Sequence, residues 1–279
     1  LARLWAFSET KPESIVFIPK RPAAAAALKG YQRDFFELLG IDVPITILTG
    51  PTIVEELIVP GQGLGLGPID RGTPEIHEFF HTGFAKDVEP DGPKKLYLSR
   101  TMLGGQEGGA ILESLLEKNL AADGYEIMHP QKMSLRDQVA RYRAATHVIG
   151  LDGSAFHLFG FVAREDQKAA VVLRRNSSVF NGLKHQVEAF SGREPDILSA
   201  VISDWIPDKH KRPGRYSFGQ LDYAKIAEEL QELGYISNAA DWTLPSWRNV
   251  KQTIDAIGKD KNMSFVRRVR PQPAAKKTA

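Results

Sequence analysis

His147-Val148-Ile149-Gly150-Leu151-Asp152-Gly153-Ser154-Ala155-Phe156-His157 carries the clearest strand-to-helix pattern in the chain. A compact apolar run ends in an acid and a glycine. A serine then starts a second run, to Val162, with Phe156, Leu158 and Phe159 inside it. The pattern predicts a strand over 147–151 and a helix over 154–162. The same alternation continues on both sides of it. Ala169–Leu173 reads as the next strand, followed by a helix and a further strand near Ile197–Trp205. Upstream stand a strand at Leu96-Tyr97-Leu98, a helix over Ala110–Ala121, a strand over Tyr125–Met128 and a helix from Ser134 to Ala145. Strands alternating with helices predict an α/β protein, its parallel sheet covered on both faces. Right-handed crossovers then bring the strand C-termini to one edge, where ligands bind in such sheets.

The first third is less regular. Ser14–Pro19, Ile45–Leu48 and Ile53–Val59 read as strands. Leu28–Leu39 reads as a helix stopped by Gly40, and the five alanines at 23–27 as a helix start. Gly61–Pro68 is a glycine-rich loop read as mobile. Thr73-Pro74-Glu75 opens a helix running to about Phe84, with a cap, a proline in the first turn and an acid. Pro90, Asp91, Gly92 and Pro93 are the strongest internal punctuation and mark a domain boundary. An acidic helix spans Gln220–Leu233.

Composition bounds the function classes. The 279 residues are 42% hydrophobic and 25% charged, ordinary values for a globular chain. No run approaches the ~18 apolar residues of a membrane-spanning helix. The absence of cysteine removes disulfides, thiolate metal sites and a cysteine nucleophile together. The net charge is +2, but residues 265–279 hold five cations and no acid, which leaves the body at −3. A body of that sign is not a nucleic-acid binder; the basic tail reads as solvated, with weak contact to a membrane surface as the alternative. The sequence opens on Leu1-Ala2-Arg3-Leu4-Trp5, an apolar helical pattern already under way, and is expected to be an N-terminally truncated fragment.

Candidate chemistry gathers at predicted strand C-termini. Arg100, directly after the 96–98 strand, can grip a phosphate bidentately, or simply be a surface arginine. The loop His129-Pro130-Gln131-Lys132-Met133-Ser134 can offer backbone groups to a nucleobase, or be an ordinary capped loop. Asp152-Gly153-Ser154 combines an acid, a glycine that permits close approach and a helix start whose free amides favour a diphosphate; a plain turn and cap fits equally. His157 falls one turn into that helix. Gly61-Gln62-Gly63-Leu64-Gly65 lacks the lysine and the following helix of phosphate-binding loops. His77-Glu78-Phe79-Phe80-His81 matches the spacing of zinc proteases, but no third ligand follows at a recognisable distance, and its phenylalanines suit a core-facing helix.

Read in order, Leu96–Arg100, Gly124–Pro130 with Met133-Ser134-Leu135, Gln138, Ala144-Ala145 and Gly150–His157 resemble the family 61 glycosyltransferases, a group formerly described as a domain of unknown function in capsule biosynthesis. The ordered set covers about Lys95 to Val162, and Pro51–Phe80 is also similar. The resemblance implies a GT-B-like fold, two Rossmann-like domains with parallel sheets facing a cleft. On that reading 1–90 is a partial N-terminal, acceptor-side domain and 91–208 the nucleotide-sugar-binding domain. A helical segment over 209–264 and a basic disordered tail over 265–279 follow. The resemblance also implies sugar transfer with inversion from a nucleotide-sugar donor, usually UDP-linked, to a glycan or surface-polysaccharide acceptor. No catalytic metal and no cofactor beyond the donor are implied. The expected location is cytoplasmic, at the inner face of a membrane.

Carried over by position, Arg100 clamps phosphate, and Gly153, Ser154 and Ala155 form the cradle. His157 supports phosphate or sugar, while Met133 and Ser134 lie near the base or ribose. Glu113 matches a family glutamate loosely. Asp152 is the candidate catalytic base. It could instead orient His157 or cap the turn, or the base could lie upstream of Leu1. A non-catalytic nucleotide- or sugar-binding protein, and a zinc hydrolase using His77, Glu78 and His81, are the competing classes.

Overall fold

Residues 2–19, 28–103, 107–175 and 180–269 are described by the computed structural model of the chain; the alanine run at 23–27 lies outside them. The first third holds helix α1 (Phe7–Thr10), strand β1 (Ile15–Phe17), helix α2 (Gly30–Leu38), strand β2 (Ile45–Ile47) and helix α3 (Pro74–Gly83). β1 and β2 pair in parallel, Ile15 opposite Ile45 and Phe17 opposite Ile47. The expected strand at Ile53–Val59 does not form. Ile53 is fully exposed and Leu57, Ile58 and Val59 stand largely in solvent. An apolar run becomes a strand only where a neighbour completes its hydrogen-bond ladder, and this one has no ladder partner. The glycine-rich loop is fastened rather than loose. Trp5 donates its indole N–H to the Gly61 carbonyl at 3.0 Å. Gly63 is squeezed between Ile76 and Trp5, where a Cβ would come within 3.0 Å of both.

Next come β3 (Lys95–Leu98), α4 (Glu113–Ala122), β4 (Glu126–Met128), α5 (Leu135–Ala144), β5 (His147–Leu151), α6 (Ala155–Val162), β6 (Lys168–Val172), α7 (Phe180–Ser191) and β7 (Asp196–Leu198). The five strands form one parallel sheet in the order β4-β3-β5-β6-β7. Successive side chains leave a strand on opposite faces, so each strand feeds two cores. Leu96, Leu98, Val148, Ala169 and Val171 join α5, α6 and α7 on one face. Tyr97, Ile149, Leu151, Ala170 and Val172 join α4 and a later helix on the other. The α/β class and the doubly covered parallel sheet expected from sequence are present.

Strand β8 (Val201–Pro207), strand β9 (Phe218–Leu221), helix α8 (Tyr223–Glu232), helix α9 (Trp247–Lys261) and strand β10 (Phe265–Val269) complete the described chain. The single strand expected near Ile197–Trp205 is two, in different sheets. β7 closes the parallel sheet, while β8 is the centre of an antiparallel sheet ordered β10-β8-β9. The segment 209–264, expected to be helical, therefore also contains β9. Residues 265–269, expected within a disordered tail, form β10. Phe265 packs edge-on against Phe218, and the Arg267 guanidinium lies over the Trp247 ring, 4.9 Å from its centroid. Attraction between the cation and the ring face helps hold this exposed basic residue in the strand. The remaining tail lies outside the described residues. Among the described residues no helix is long and apolar enough to cross a membrane.

The N-terminal elements pack on the helical layer of the main sheet. Phe80 of α3 stacks on Phe161 of α6 with centroids 4.0 Å apart and planes 10° from parallel. Arg143 of α5 donates to the Ala85 and Val88 carbonyls at 2.7 and 2.6 Å. Phe80 is buried among Phe35, Phe84, Phe161 and Phe190. Truncation to Phe80→Ala is expected to cost about 3–5 kcal/mol, read as a lowered urea midpoint. A loss below about 1 kcal/mol would show that this junction does not hold the two parts together.

Candidate functional site

From β3 the chain crosses to β4 on one side and then returns to β5 on the other, so the strand order reverses between β3 and β5. Side chains following strands at such a switch point surround a crevice open at the sheet's C-terminal edge. Here three adjacent strands contribute in register. Arg100 stands two residues past β3, Gly153 two past β5 and Arg174 two past β6.

Asp152 is the hub of this edge. It is 8% exposed, and Arg174 is 5% exposed. One carboxylate oxygen of Asp152 accepts the Arg174 main-chain N–H at 2.7 Å, and its carbonyl accepts the Arg174 Nε–H at 2.9 Å. The guanidinium groups of Arg174 and Arg175 lie 3.6 and 3.9 Å from the carboxylate. Burial pushes the Asp152 pKa up, against the pull of Arg174, Arg175 and Arg100. Burial likewise draws Arg174 down to about 10, opposed by Asp152 and reinforced by repulsion from Arg100 and Arg175. Arg174 therefore stays charged at neutral pH. Exposed Glu107 adds a weaker attraction. Three guanidinium groups thus converge on one buried carboxylate. Arg100 Nε, Arg174 Nη1 and Arg175 Nε, all buried, have no hydrogen-bond partner among the described residues. Donors left without partners at a cationic, desolvated edge are suited to an anion.

The floor of the site is main chain. Arg100 Nη1 lies 2.6 Å from where a Cβ on Gly153 would sit, so the glycine makes room for the guanidinium. Arg100 Nη2 donates to the Gly108 carbonyl at 3.3 Å. A Cβ on Gly108 would collide with the Ser217 carbonyl, and one on Gly219 with the Arg174 carbonyl. Below, buried Glu113 at the start of α4 accepts the Arg100 main-chain N–H at 2.7 Å and the Tyr97 hydroxyl at 3.1 Å. Burial raises its pKa to about 7, with those two bonds opposing. Glu117, one turn on, accepts from Ser99 and Thr101.

The other residues singled out from sequence fare differently. The carbonyls of Gly153 and Ser154 accept the Phe156 and His157 N–H groups. The first amides of α6, those of Ser154 and Ala155 included, therefore lie at its open N-terminus, beside Arg100. The Ser154 side chain makes no cap. His157 turns toward α7, its Nδ1 2.5 Å from Gln186 Oε1. Ser134 caps α5, accepting the Asp137 N–H and donating to its carboxylate, and Met133 packs against the core; neither is brought against the arginines. His77 and His81 point their Nε2 atoms at the Arg71 and Phe190 carbonyls, at 2.9 and 3.2 Å. Among the described residues no group of three or more His, Asp or Glu side chains could hold a metal ion, so the zinc-hydrolase alternative gains no support.

The model of the family described as Glycosyltransferase 61 matches residues 3–172. The chain belongs to the glycosyltransferase 61 family. No curated protein matches it. As a family member the chain is a glycosyltransferase, acting on a sugar donor and an acceptor. The match ends two residues before Arg174. Arg174 and Arg175 lie beyond the stretch that carries the sequence resemblance. They carry the same signal as Arg100, a basic residue directly after a buried strand.

Glu113 offers a test of this architecture through pH. Its carboxyl binds a proton more tightly in the folded chain than at the ordinary value of 4.5. Its contribution is therefore fully present below about pH 4.5 and is lost as pH rises toward 7, by up to about 3 kcal/mol. Glu113→Gln removes this titration. The stability of the variant minus that of the native chain should increase between pH 4.5 and 7, then level off. Urea midpoints that run parallel for the two chains across this window would count against a raised Glu113 pKa.

Proposed function

We propose that the chain transfers a sugar, with inversion and without a catalytic metal, from a nucleoside-diphosphate donor, UDP-linked, to a glycan or surface-polysaccharide acceptor. The observation that carries the reading is the convergence of Arg100, Arg174 and Arg175 on Asp152, with buried N–H groups still to be satisfied. In this reaction the acceptor oxygen forms a bond to the anomeric carbon while the bond to the diphosphate breaks. Negative charge grows on the leaving diphosphate, and donors already in place stabilise it most when they need not reorganise. The α6 amides add main-chain donors at the same edge. A GT-B-like arrangement belongs to this proposal. The parallel β1–β2 pair supports a partial Rossmann-like unit on the N-terminal side.

Asp152 fits positioning better than proton abstraction. Its oxygens already face the Arg174 amide and two guanidinium groups, which leaves fewer lone pairs to receive a proton from an acceptor hydroxyl. Its role is to fix the arginines, which is none of the roles expected for it from sequence: its carboxylate faces Arg174 and Arg175 rather than His157.

Two measurements test this. Calorimetry with UDP and no added metal should show Arg100→Ala and Arg174→Lys each weakening binding by about tenfold or more. Each removes a charge-assisted bond or the planar fork that makes it bidentate. Unchanged affinity in both variants, at matched folding stability, would remove the diphosphate site. Asp152→Asn should lower UDP affinity and turnover together. A fall in turnover of two to four orders of magnitude with UDP affinity intact would instead assign Asp152 as the base.

A further inference from the structure

The connection between β8 and β9 reads Asp208-Lys209-His210-Lys211-Arg212-Pro213-Gly214-Arg215-Tyr216, four cations against one carboxylate. Lys209, His210, Lys211, Arg212 and Arg215 are all exposed, and no ion pair among the described residues engages the four cations. The donor-site reading leaves this patch without a role.

The tip is built rather than loose. Asp208 donates its N–H to the Ser264 carbonyl at 2.9 Å, and His210 donates to the Pro207 carbonyl at 2.8 Å. Gly214 and buried Ser217 exchange two bonds, at 2.9 and 3.1 Å. The Arg215 guanidinium lies over the Tyr216 ring, 4.6 Å from its centroid, and the His210 ring is 5.8 Å away. An aromatic face is thus flanked by donors. The tip also abuts the arginine cluster through one residue. Gly108 donates its N–H to the Arg215 carbonyl at 2.6 Å, and its own carbonyl accepts from Arg100.

We propose that this hairpin tip is the acceptor subsite, and that the acceptor is an anionic glycan whose sugars carry carboxylates. The proposal rests on the glycosyltransferase reading above and names its acceptor class. Unpaired, exposed cations recruit a polyanion through long-range attraction. An aromatic ring among them packs against a pyranose face, as neutral recognition beside the charge. Anchoring to Gly108 sets the bound chain next to the donor diphosphate, where the acceptor hydroxyl must arrive. A membrane surface fits less well. Lys209–Arg215 contains no large apolar side chain to insert below headgroups, and the tip is tied to the site rather than projecting freely.

The test uses the full chain in excess UDP, titrated with a four-residue oligogalacturonate and with a neutral oligogalactan of equal length. The acidic oligosaccharide should bind and the neutral one should not. Its affinity should fall about tenfold as salt rises from about 50 to about 300 mM. Combined Lys209→Gln, Lys211→Gln and Arg212→Gln should lower oligogalacturonate affinity by about tenfold or more, with melting temperature and UDP affinity unchanged. Equal binding of the two oligosaccharides, or undiminished oligogalacturonate binding by the triple variant, overturns the proposal. So does charge-dependent sedimentation with phosphatidylglycerol vesicles accompanied by no oligogalacturonate binding. UDP calorimetry separates the two readings. In the native chain, absence of UDP binding alone sinks the donor site, whereas absence of acidic-glycan binding with UDP bound normally sinks only the acceptor assignment.

Discussion

Everything at the ligand edge depends on the ion pair between Asp152 and Arg174. A guanidinium as buried as that of Arg174 costs several kcal/mol to desolvate unless an opposite charge and hydrogen bonds compensate it. Asp152 supplies both, through its carboxylate and its main-chain carbonyl. The same contacts fix the end of β6 against the end of β5. Because Arg175 also faces this carboxylate and Arg100 adds a third positive charge nearby, the edge stays cationic after the pair is made. Strain of this electrostatic kind is tolerable where a bound anion relieves it, and it identifies the edge more sharply than the fold does.

The second constraint is steric. Three glycines set the dimensions of the site by what they lack. Gly153 leaves space for the Arg100 guanidinium, while Gly108 and Gly219 let separate chain segments approach until main chain meets main chain. The antiparallel sheet of β8, β9 and β10 is therefore a wall of the site rather than an appendage. It reaches Arg174 through Gly219 and Arg100 through Gly108.

Much of this was legible in the sequence, for identifiable reasons. Buried parallel strands must be apolar on both faces, so Leu96–Leu98 and Val148–Leu151 declared themselves. The switch-point rule then directed attention to Arg100 and Asp152. What stayed hidden depends on partners that local patterns do not encode. Ile53–Val59 has strand composition but no ladder to join. Arg267 and Arg268 carry tail-like charge, yet Trp247 and Ser203 give Arg267 a place in a strand. His157 sits on the expected helix, but Gln186 of α7 claims its ring. Ser134 has the right position for ligand contact, but Asp137 engages its hydroxyl as a cap.

The tie between Gly108 and Arg215 has a consequence for how the molecule matures during synthesis. Asp152 leaves the ribosome before Arg174, and Gly108 long before Arg215. Pairings between such distant segments form slowly, because loop closure precedes any gain from contact. A nascent chain ending after β5 keeps the Asp152 carboxylate hydrated, with no buried charge to stabilise. The recognition edge thus gains its full set of contacts only after residues 215–219 have been synthesised, later than the parallel sheet that carries it.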